Sequence, residues 1–429
     1  MIFSIEAQDP HTGKLYRYQY DNQANRIQTS EGIPLCLEFD PRFERMRFTM
    51  REDGDRSCQH AKSRHLKQLR IQMGIQCNYS CRYCAQRTLQ KMVPIVPSDD
   101  KTVEKFLSRL SSSIDSADAI HFTGGEVFVY RKKLIPLVAG LKKLYPDARM
   151  GIITNGSLLT KELADWMLDN RIGLVISHDG PSFTRYRDAE DIFDKPSVLE
   201  AIQHYYDRNL KEGLGLDPHF NVVVTPDNRK LSQLPDYFRR KTGRNVKLQF
   251  ESIVKLNSKT LGEVPPFTSD EAYELVNEIF QAGIDFRKDQ PLGYLAFMAD
   301  RVAGRLVREN RLTALLYPCD NAQQDTVAVD ISGNLLSCQG LPAFKTAYGE
   351  IEDLTTLHGH AVPWTERKEC PDCQYLVSCL GGCSVQSEED HEISCRTLRL
   401  WNMGLFYAAW FRLFGTVITA IEPLEIRRN

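Results

Sequence analysis

The sequence carries almost no surplus charge: 54 Lys and Arg stand against 56 Asp and Glu, a net of −2 over 429 residues. That balance gives no general attraction to nucleic acid or to an anionic membrane surface, so neither is an expected partner. Long apolar runs are scarce as well. The most apolar late stretch, Leu405–Ile421, contains Arg412, Gly415 and two threonines, and is expected as a buried terminal helix and tail, not a membrane span. The opening MIFSIEAQDPHTGKLYRYQY has neither the basic start nor the apolar core of a secretory signal, so a cytoplasmic setting is expected. There is no low-complexity tract and no internal repeat beyond a β–α alternation. With 26% charged and 42% hydrophobic residues the chain is neither disordered throughout nor a membrane bundle, and its length allows two or three domains. Cysteine, by contrast, is abundant at 12 residues. In a reducing compartment clustered thiols point to metal or redox chemistry and not to disulfides.

Residues 1–65 are polar, with an alternating run at Tyr16, Tyr18 and Tyr20 and turn signals at Thr12-Gly13 and Asp53-Gly54, so a strand-rich leader region is expected. From residue 66, strand-like runs at Gln68–Ile75, Ala119–Thr123, Met150–Thr154, Ile172–Ser177, His219–Thr225 and Val246–Glu251 alternate with stretches of helical period such as Val103, Phe106, Leu107 and Leu110. Six such units predict an α/β fold, a parallel sheet curved into a partial (β/α)6 TIM-like barrel over 66–254, with its chemistry at the C-terminal ends of the strands. The distinctive residues fall at that rim. Cys77 follows the first run, Gly124-Gly125-Glu126 the second and Asn155-Gly156 the third, while Ser177 and Asp179 close the fourth. A helical bridge is expected over 255–314 (Glu271–Asp285 and Tyr294–Arg308), a cysteine-rich domain over 315–395, and a C-terminal helix from about Arg396 to Phe414 with a tail, over 396–429.

Cys77-Asn-Tyr-Ser-Cys81-Arg-Tyr-Cys84 places three thiolates in one short loop. Thiolates suit iron–sulfur clusters or zinc. Three ligands leave one iron of a four-iron cluster open. A zinc knuckle would need a fourth ligand, for which His60 and His65 are candidates. The C-x3-C-x2-C spacing after the first strand of a β/α barrel, with Tyr83 before the third cysteine, resembles the radical S-adenosylmethionine (SAM) superfamily. The resemblance implies that Cys77, Cys81 and Cys84 hold a [4Fe-4S] cluster whose open iron chelates SAM, and that SAM cleavage yields a 5′-deoxyadenosyl radical. It implies SAM contacts from the Gly124-Gly125 backbone and the Glu126 carboxylate to the methionine amino group. Thr154-Asn155-Gly156 and the segment containing Ser177 and Asp179 would line the ribose and carboxylate, with Arg187 as a partner for the carboxylate and Tyr83 as a further cofactor contact. The chain departs from the family pattern at Val127, where a proline is usual, and at His178, where an apolar residue is usual. His178 is expected to be hydrogen-bonded and inert.

The later cysteines run Cys319-x13-Gly333-x4-Cys338, then Cys370-x2-Cys373-x5-Cys379-x3-Cys383, then Cys395. This resembles the SPASM extension of radical SAM enzymes that act on peptides and proteins; two structural zinc sites are the alternative. Gly333 falls in a turn between the strand-like runs Thr326–Val329 and Leu335–Cys338, which would bring Cys319 and Cys338 together. By the family pattern, Cys370, Cys373, Cys379 and Cys395 would fill one auxiliary four-iron cluster, and Cys319, Cys338 and Cys383 would give three ligands to another. Asp325 stands where some relatives carry an eighth cysteine, so the last position would be open or taken by that carboxylate or by substrate. Cys36 and Cys58 remain and are expected to be small packing residues.

The resemblance thus implies a three-cluster enzyme, using SAM and three [4Fe-4S] clusters, that abstracts hydrogen from a ribosomal precursor peptide. It implies an external electron donor of flavodoxin or ferredoxin type. The leading expectation is an oxidative side-chain cross-link, a C–C cyclophane or a thioether. An anaerobic sulfatase-maturing, formylglycine-generating enzyme and a peptide epimerase are the alternatives. A non-catalytic iron–sulfur carrier or zinc adaptor is the reading from outside enzymology, and it leaves the rim motifs without a purpose.

Overall fold

A computed structural model describes residues 1–35, 61–92, 100–254, 256, 264–307 and 319–424. Cys36, Cys58 and His60 lie outside the described residues.

The chain opens with three antiparallel strands, β1 (Ile2–Gln8), β2 (Leu15–Asp21) and β3 (Arg26–Thr29). Alternation along β1 buries Phe3, Ile5 and Ala7 on one face. The strands of the main sheet follow: β4 (Gln68–Gln72), β5 (Ala119–Thr123), β6 (Arg149–Thr154), β7 (Ile172–Ser177), β8 (His219–Val224) and β9 (Lys247–Ser252). They are parallel and lie side by side in sequence order. Between them run α1 (Asp100–Ser113), α2 (Arg131–Leu144), α3 (Lys161–Asp169), α4 (Pro196–Lys211) and α5 (Leu234–Thr242). Their 3.6-residue stripes, such as Leu134, Leu137, Val138 and Leu141 of α2, are buried in the core shared with the sheet. This is the α/β, parallel-sheet architecture expected from the repeating pattern.

The cysteine-rich region does not stand apart from this sheet. Its first strand, β10 (Thr326–Asp330), pairs in parallel with β4, from Thr326 opposite Gln68 to Asp330 opposite Gln72. Strands β11 (Asn334–Leu336) and β12 (Ala347–Glu350) then extend the sheet antiparallel, for nine strands in all. Helices α6 (Ser269–Ile284) and α7 (Gly293–Leu306) occupy the stretch expected as helical, and both pack on α8 (Glu388–Phe414). Helix α8 starts earlier than Arg396 because the Ser387 side chain accepts the N–H of Asp390 and three acidic residues fill its first turn. After Gly415 ends α8 with φ +68, the expected tail becomes a strand, β13 (Val417–Pro423), which pairs antiparallel with β1. Among the described residues no helix is long and apolar enough to cross a membrane.

Candidate iron–sulfur and SAM site

The loop carrying Cys77, Cys81 and Cys84 leaves β4 and passes over the end of β5. Two glycines let it come that close. Gly124 has φ +146, and a Cβ there would fall on the carbonyl oxygen of Gly74, while a Cβ at Gly125 would fall on the carbonyls of Ile75 and Gln76. The N–H groups of Gly125 and Glu126 donate to the carbonyls of Gly74 and Gln76, each at 2.9 Å. The glycine pair therefore docks the cysteine loop onto the sheet.

Glu126 departs from the expected role. Its carboxylate is fully buried and faces the protein, accepting the N–H of Phe128 at 3.0 Å, the hydroxyl of Thr154 at 2.7 Å and the N–H of Asn155 at 2.7 Å. Burial raises its pKa and these three donors oppose the rise. The latch ties the end of β5 to the end of β6. There the Asn155 Nδ2 lies 3.8 Å from the Cys77 sulfur and donates to Asn78 Oδ1 at 2.9 Å.

Asp179 and Arg187 also face inward. Arg187 grips Asp179 in a fork, Nε to Oδ2 at 2.8 Å and Nη2 to Oδ1 at 2.9 Å, with both side chains buried. Tyr83, from the cysteine loop, donates its hydroxyl to Asp179 Oδ2 at 2.5 Å. The expected SAM contacts Tyr83, Asp179 and Arg187 are thus one hydrogen-bonded unit beneath the loop. Ser177, at the end of β7, is partly exposed. His178 is fully buried, with Phe183 and Phe193 each stacked at a centroid distance of 4.4 Å. Its Nδ1 accepts the N–H of Gly180 at 3.0 Å, so Nε2 carries the proton donated to Asp191 at 3.0 Å. Burial lowers its pKa, and the ring is a neutral packing element. His65 lies before β4, at the end opposite the cysteine loop, and bonds Ser116 at 3.1 Å, so it does not supply a fourth ligand.

The ten described cysteines fall into three sets. Burial first pushes the thiols of Cys77 and Cys81 up to about 11 and about 12; Cys84 adds to both, and Cys84 itself is also raised by burial. Cys370, Cys373, Cys379 and Cys395 line one cavity of about 30 Å3 together with Glu369 and Arg399. Cys338 and Cys383 are pushed up to about 11 and about 12, by burial and then, among other influences, by the charges of their own set, which includes Cys319. Soft thiolates grouped three, four and three fit the donor chemistry of iron–sulfur clusters. Among the described residues no three Cys, His, Asp or Glu side chains converge tightly enough for a single metal ion.

The Asp325 carboxylate pairs with Lys67 at 2.8 Å, while the charges of Arg70, Asp320 and Lys62 act on Cys319. Sequence reasoning missed the residues that join this set to the first loop. Gln72 Nε2 donates to the carbonyls of Gln339 and Leu341 at 2.7 and 2.8 Å, and Gln86 Nε2 to that of Gly340 at 2.9 Å. The loop after Cys338 is thereby stitched to the end of β4 and to the segment just past Cys84. A lone glutamine carries no sequence signal for such a role.

Comparison with known proteins bears on the part of the chain that carries the first cysteine set. Residues 71–224 match the family model of the radical SAM superfamily. The chain is 29% identical over 164 residues to the serine-type anaerobic sulfatase-maturating enzyme of Bacteroides thetaiotaomicron, spanning 36% of this chain and 39% of that one. It is 20% identical over 343 residues to the radical SAM cyclopropyl synthase TigE of Paramaledivibacter caminithermalis, spanning 74% and 68%. The first three curated relatives are matched over 16%, 39% and 32% of their own length. A solved structure of native anSMEcpe with bound AdoMet and Kp18Cys peptide has a similar fold, at a TM-score of 0.57 and 17% identity, covering 81% of this chain and 98% of that one. That superfamily uses SAM and a [4Fe-4S] cluster. Over residues 71–224 the chain is a radical SAM domain.

Proposed function

We propose that the protein is a peptide maturase that binds three [4Fe-4S] clusters and SAM and installs an oxidative cross-link in a ribosomal precursor peptide. The observation that carries this is the division of ten cysteines into sets of three, four and three, the last two lying in a region continuous with the radical SAM sheet. Cys77, Cys81 and Cys84 would hold the SAM-binding cluster, Cys370, Cys373, Cys379 and Cys395 a closed auxiliary cluster, and Cys319, Cys338 and Cys383 a second one with a position left for another ligand. With SAM bound, the first cluster supplies the 5′-deoxyadenosyl radical that abstracts hydrogen from the peptide.

The chain's own residues place that chemistry. Gly124 and Gly125 set the cysteine loop against the sheet, and the Glu126 latch brings Asn155 beside Cys77. The Asp179–Arg187–Tyr83 unit holds the far side of the loop, so its SAM contacts would be made by Asn155, by the partly exposed Ser177 and by the glycine backbone. A flavodoxin- or ferredoxin-type donor would supply the electron that cleaves SAM; one peptide hydrogen would leave with 5′-deoxyadenosine, and closing the cross-link would release the second hydrogen as a proton and one electron to an auxiliary site. The alternative outcomes are formylglycine formation, which the likeness to a sulfatase-maturating enzyme favours, and epimerisation.

The test is anaerobic reconstitution followed by incubation with SAM, reductant and short peptides encoded beside the gene. The expected results are about 12 Fe per chain, reductant-dependent 5′-deoxyadenosine, and a peptide lighter by two hydrogens that no hydrazide probe labels. A hydrazide-reactive aldehyde would establish formylglycine formation, and solvent deuterium uptake at one α-carbon would establish epimerisation. About four Fe per chain with bound zinc would overturn the three-cluster reading.

A further inference from the structure

The chemistry proposed above gives no role to residues 1–35, yet the turn between β2 and β3 reaches the four-cysteine site. Asp21 Oδ1 accepts the N–H groups of Gln23 and Ala24, each at 3.0 Å, and closes the turn. Asn22, fully buried, donates Nδ2 to the carbonyls of Pro371 and Cys373, both at 2.9 Å. Gln23 Nε2 donates to the Pro371 carbonyl at 2.9 Å, and Asn25 Nδ2 to the Arg305 carbonyl at 2.5 Å. Arg305, on α7, sends Nη1 to the carbonyls of Val377 and Ser378 at 2.9 and 3.1 Å, just before Cys379. Packing follows the same path: Tyr20 lies 5.7 Å from Phe406, and Phe406 lies 5.8 Å from Tyr375, two residues past Cys373.

Arg305 is unusual in its surroundings. Burial, and then the charge of Arg301, hold its guanidinium down at about 10, while the Cys379 thiolate acts in the opposite sense. Among the described residues it forms no carboxylate ion pair, and its Nη1 donates to two carbonyls. A partly buried cation without a carboxylate is costly unless another anion offsets it. A four-iron cube bound by four thiolates is such an anion, and its negative charge grows on reduction. Arg399, bonded to Cys373 from the exposed side, is a second cation there, and Glu369 opposes it.

We propose that the β2–β3 turn and Arg305 form the outer shell of the four-cysteine site, the turn fixing its ligand loops and Arg305 offsetting the charge of the cluster held there. The inference rests on the three-cluster reading. Outer-shell groups commonly set how firmly a metal group is held and at what potential it works. Nothing in the sequence announced this role, since Asp21-Asn-Gln-Ala-Asn25 reads as an ordinary turn.

The experiment uses the full-length chain with Cys77, Cys81 and Cys84 replaced by Ala, so that only auxiliary clusters remain. Iron content, potentiometric titration followed by electron paramagnetic resonance, and iron release to a chelator are measured. Arg305→Met is expected to lower the reduction potential of one cluster with iron retained, and Arg305→Lys to restore most of that potential. Asn22→Ala removes two donors and is expected to speed iron release from the same cluster about tenfold, the scale of one to two buried hydrogen bonds. An unchanged potential in Arg305→Met, or unchanged iron release in Asn22→Ala, would overturn the outer shell. If Cys379→Ala in this background lost no iron, the four-cysteine cluster would itself be absent and both readings would fall.

Discussion

Asp320 and Asp325 sit on one loop and face different partners: Asp320 meets Arg70 beside Cys319, while Asp325 meets Lys67. Asp325→Ala should therefore leave the spectra of the auxiliary clusters unchanged in a chain lacking Cys77, Cys81 and Cys84. A changed spectrum at unchanged iron would make Asp325 a ligand after all. Identity and spacing singled out the ten cysteines that the structure gathers into three sets, because thiol clusters stand out in a sequence. They did not reveal that Asp179 and Arg187 turn inward to each other, or that Glu126 latches β6, because a carboxylate facing a ligand and one facing backbone donors look alike in sequence. A second prediction concerns His121, inside the sheet, where Nδ1 meets Gln68 Nε2 at 2.5 Å. Burial, then the charges of Arg70 and Arg149, hold its pKa down from 6.5 to about 4. The unfolded chain takes up this proton first, so the stability from keeping the ring neutral is intact above about 6.5 and falls as pH drops toward about 4. Urea midpoints of the native protein should decline over that window, and His121→Gln should decline less. Equal slopes would remove His121 from the acid response.

At the scale of elements, the strands were legible where apolar alternation is bounded by small or polar residues. β5 and β7 occupy the expected Ala119–Thr123 and Ile172–Ser177. β4 instead stops at Gln72, short of the expected Ile75, because Gly74 at φ +141 turns the chain and the Tyr130 hydroxyl accepts the Gln76 N–H at 2.8 Å. β13 was not legible at all, since its pairing depends on a strand at the other end of the chain. The docking of the cysteine loop onto β5 supplies an element-scale test. Gly124→Ala puts a side chain into a left-handed conformation and against a carbonyl. It should cost about a third of the reconstituted iron and abolish SAM cleavage while the auxiliary spectra persist. Full iron content with normal SAM cleavage would show that the close approach is dispensable.

For the whole molecule, one sheet joins the radical SAM strands to the cysteine-rich strands, and a second joins the two ends of the described chain. Deleting residues 417–429 would expose the edge of β1 and uncover Phe3 and Ile5. Thermal scans should then show a melting temperature lower by several degrees and an aggregation-prone product, whereas an unchanged melting temperature would mean that β13 adds no stability. The β1–β13 pairing also sets a timetable. Gln8 meets Val417, so β1 leaves the ribosome and waits for roughly 400 further residues to be made. At about 5–20 residues per second that interval is roughly 20–80 s. Throughout it the first strand is paired with β2 on one edge only, and the turn that reaches Pro371 and Cys373 has nothing to grip until those residues are made. On the three-cluster reading, iron delivered to the four-cysteine site before Cys395 and β13 are made would meet a half-built cradle, so that site would be loaded late.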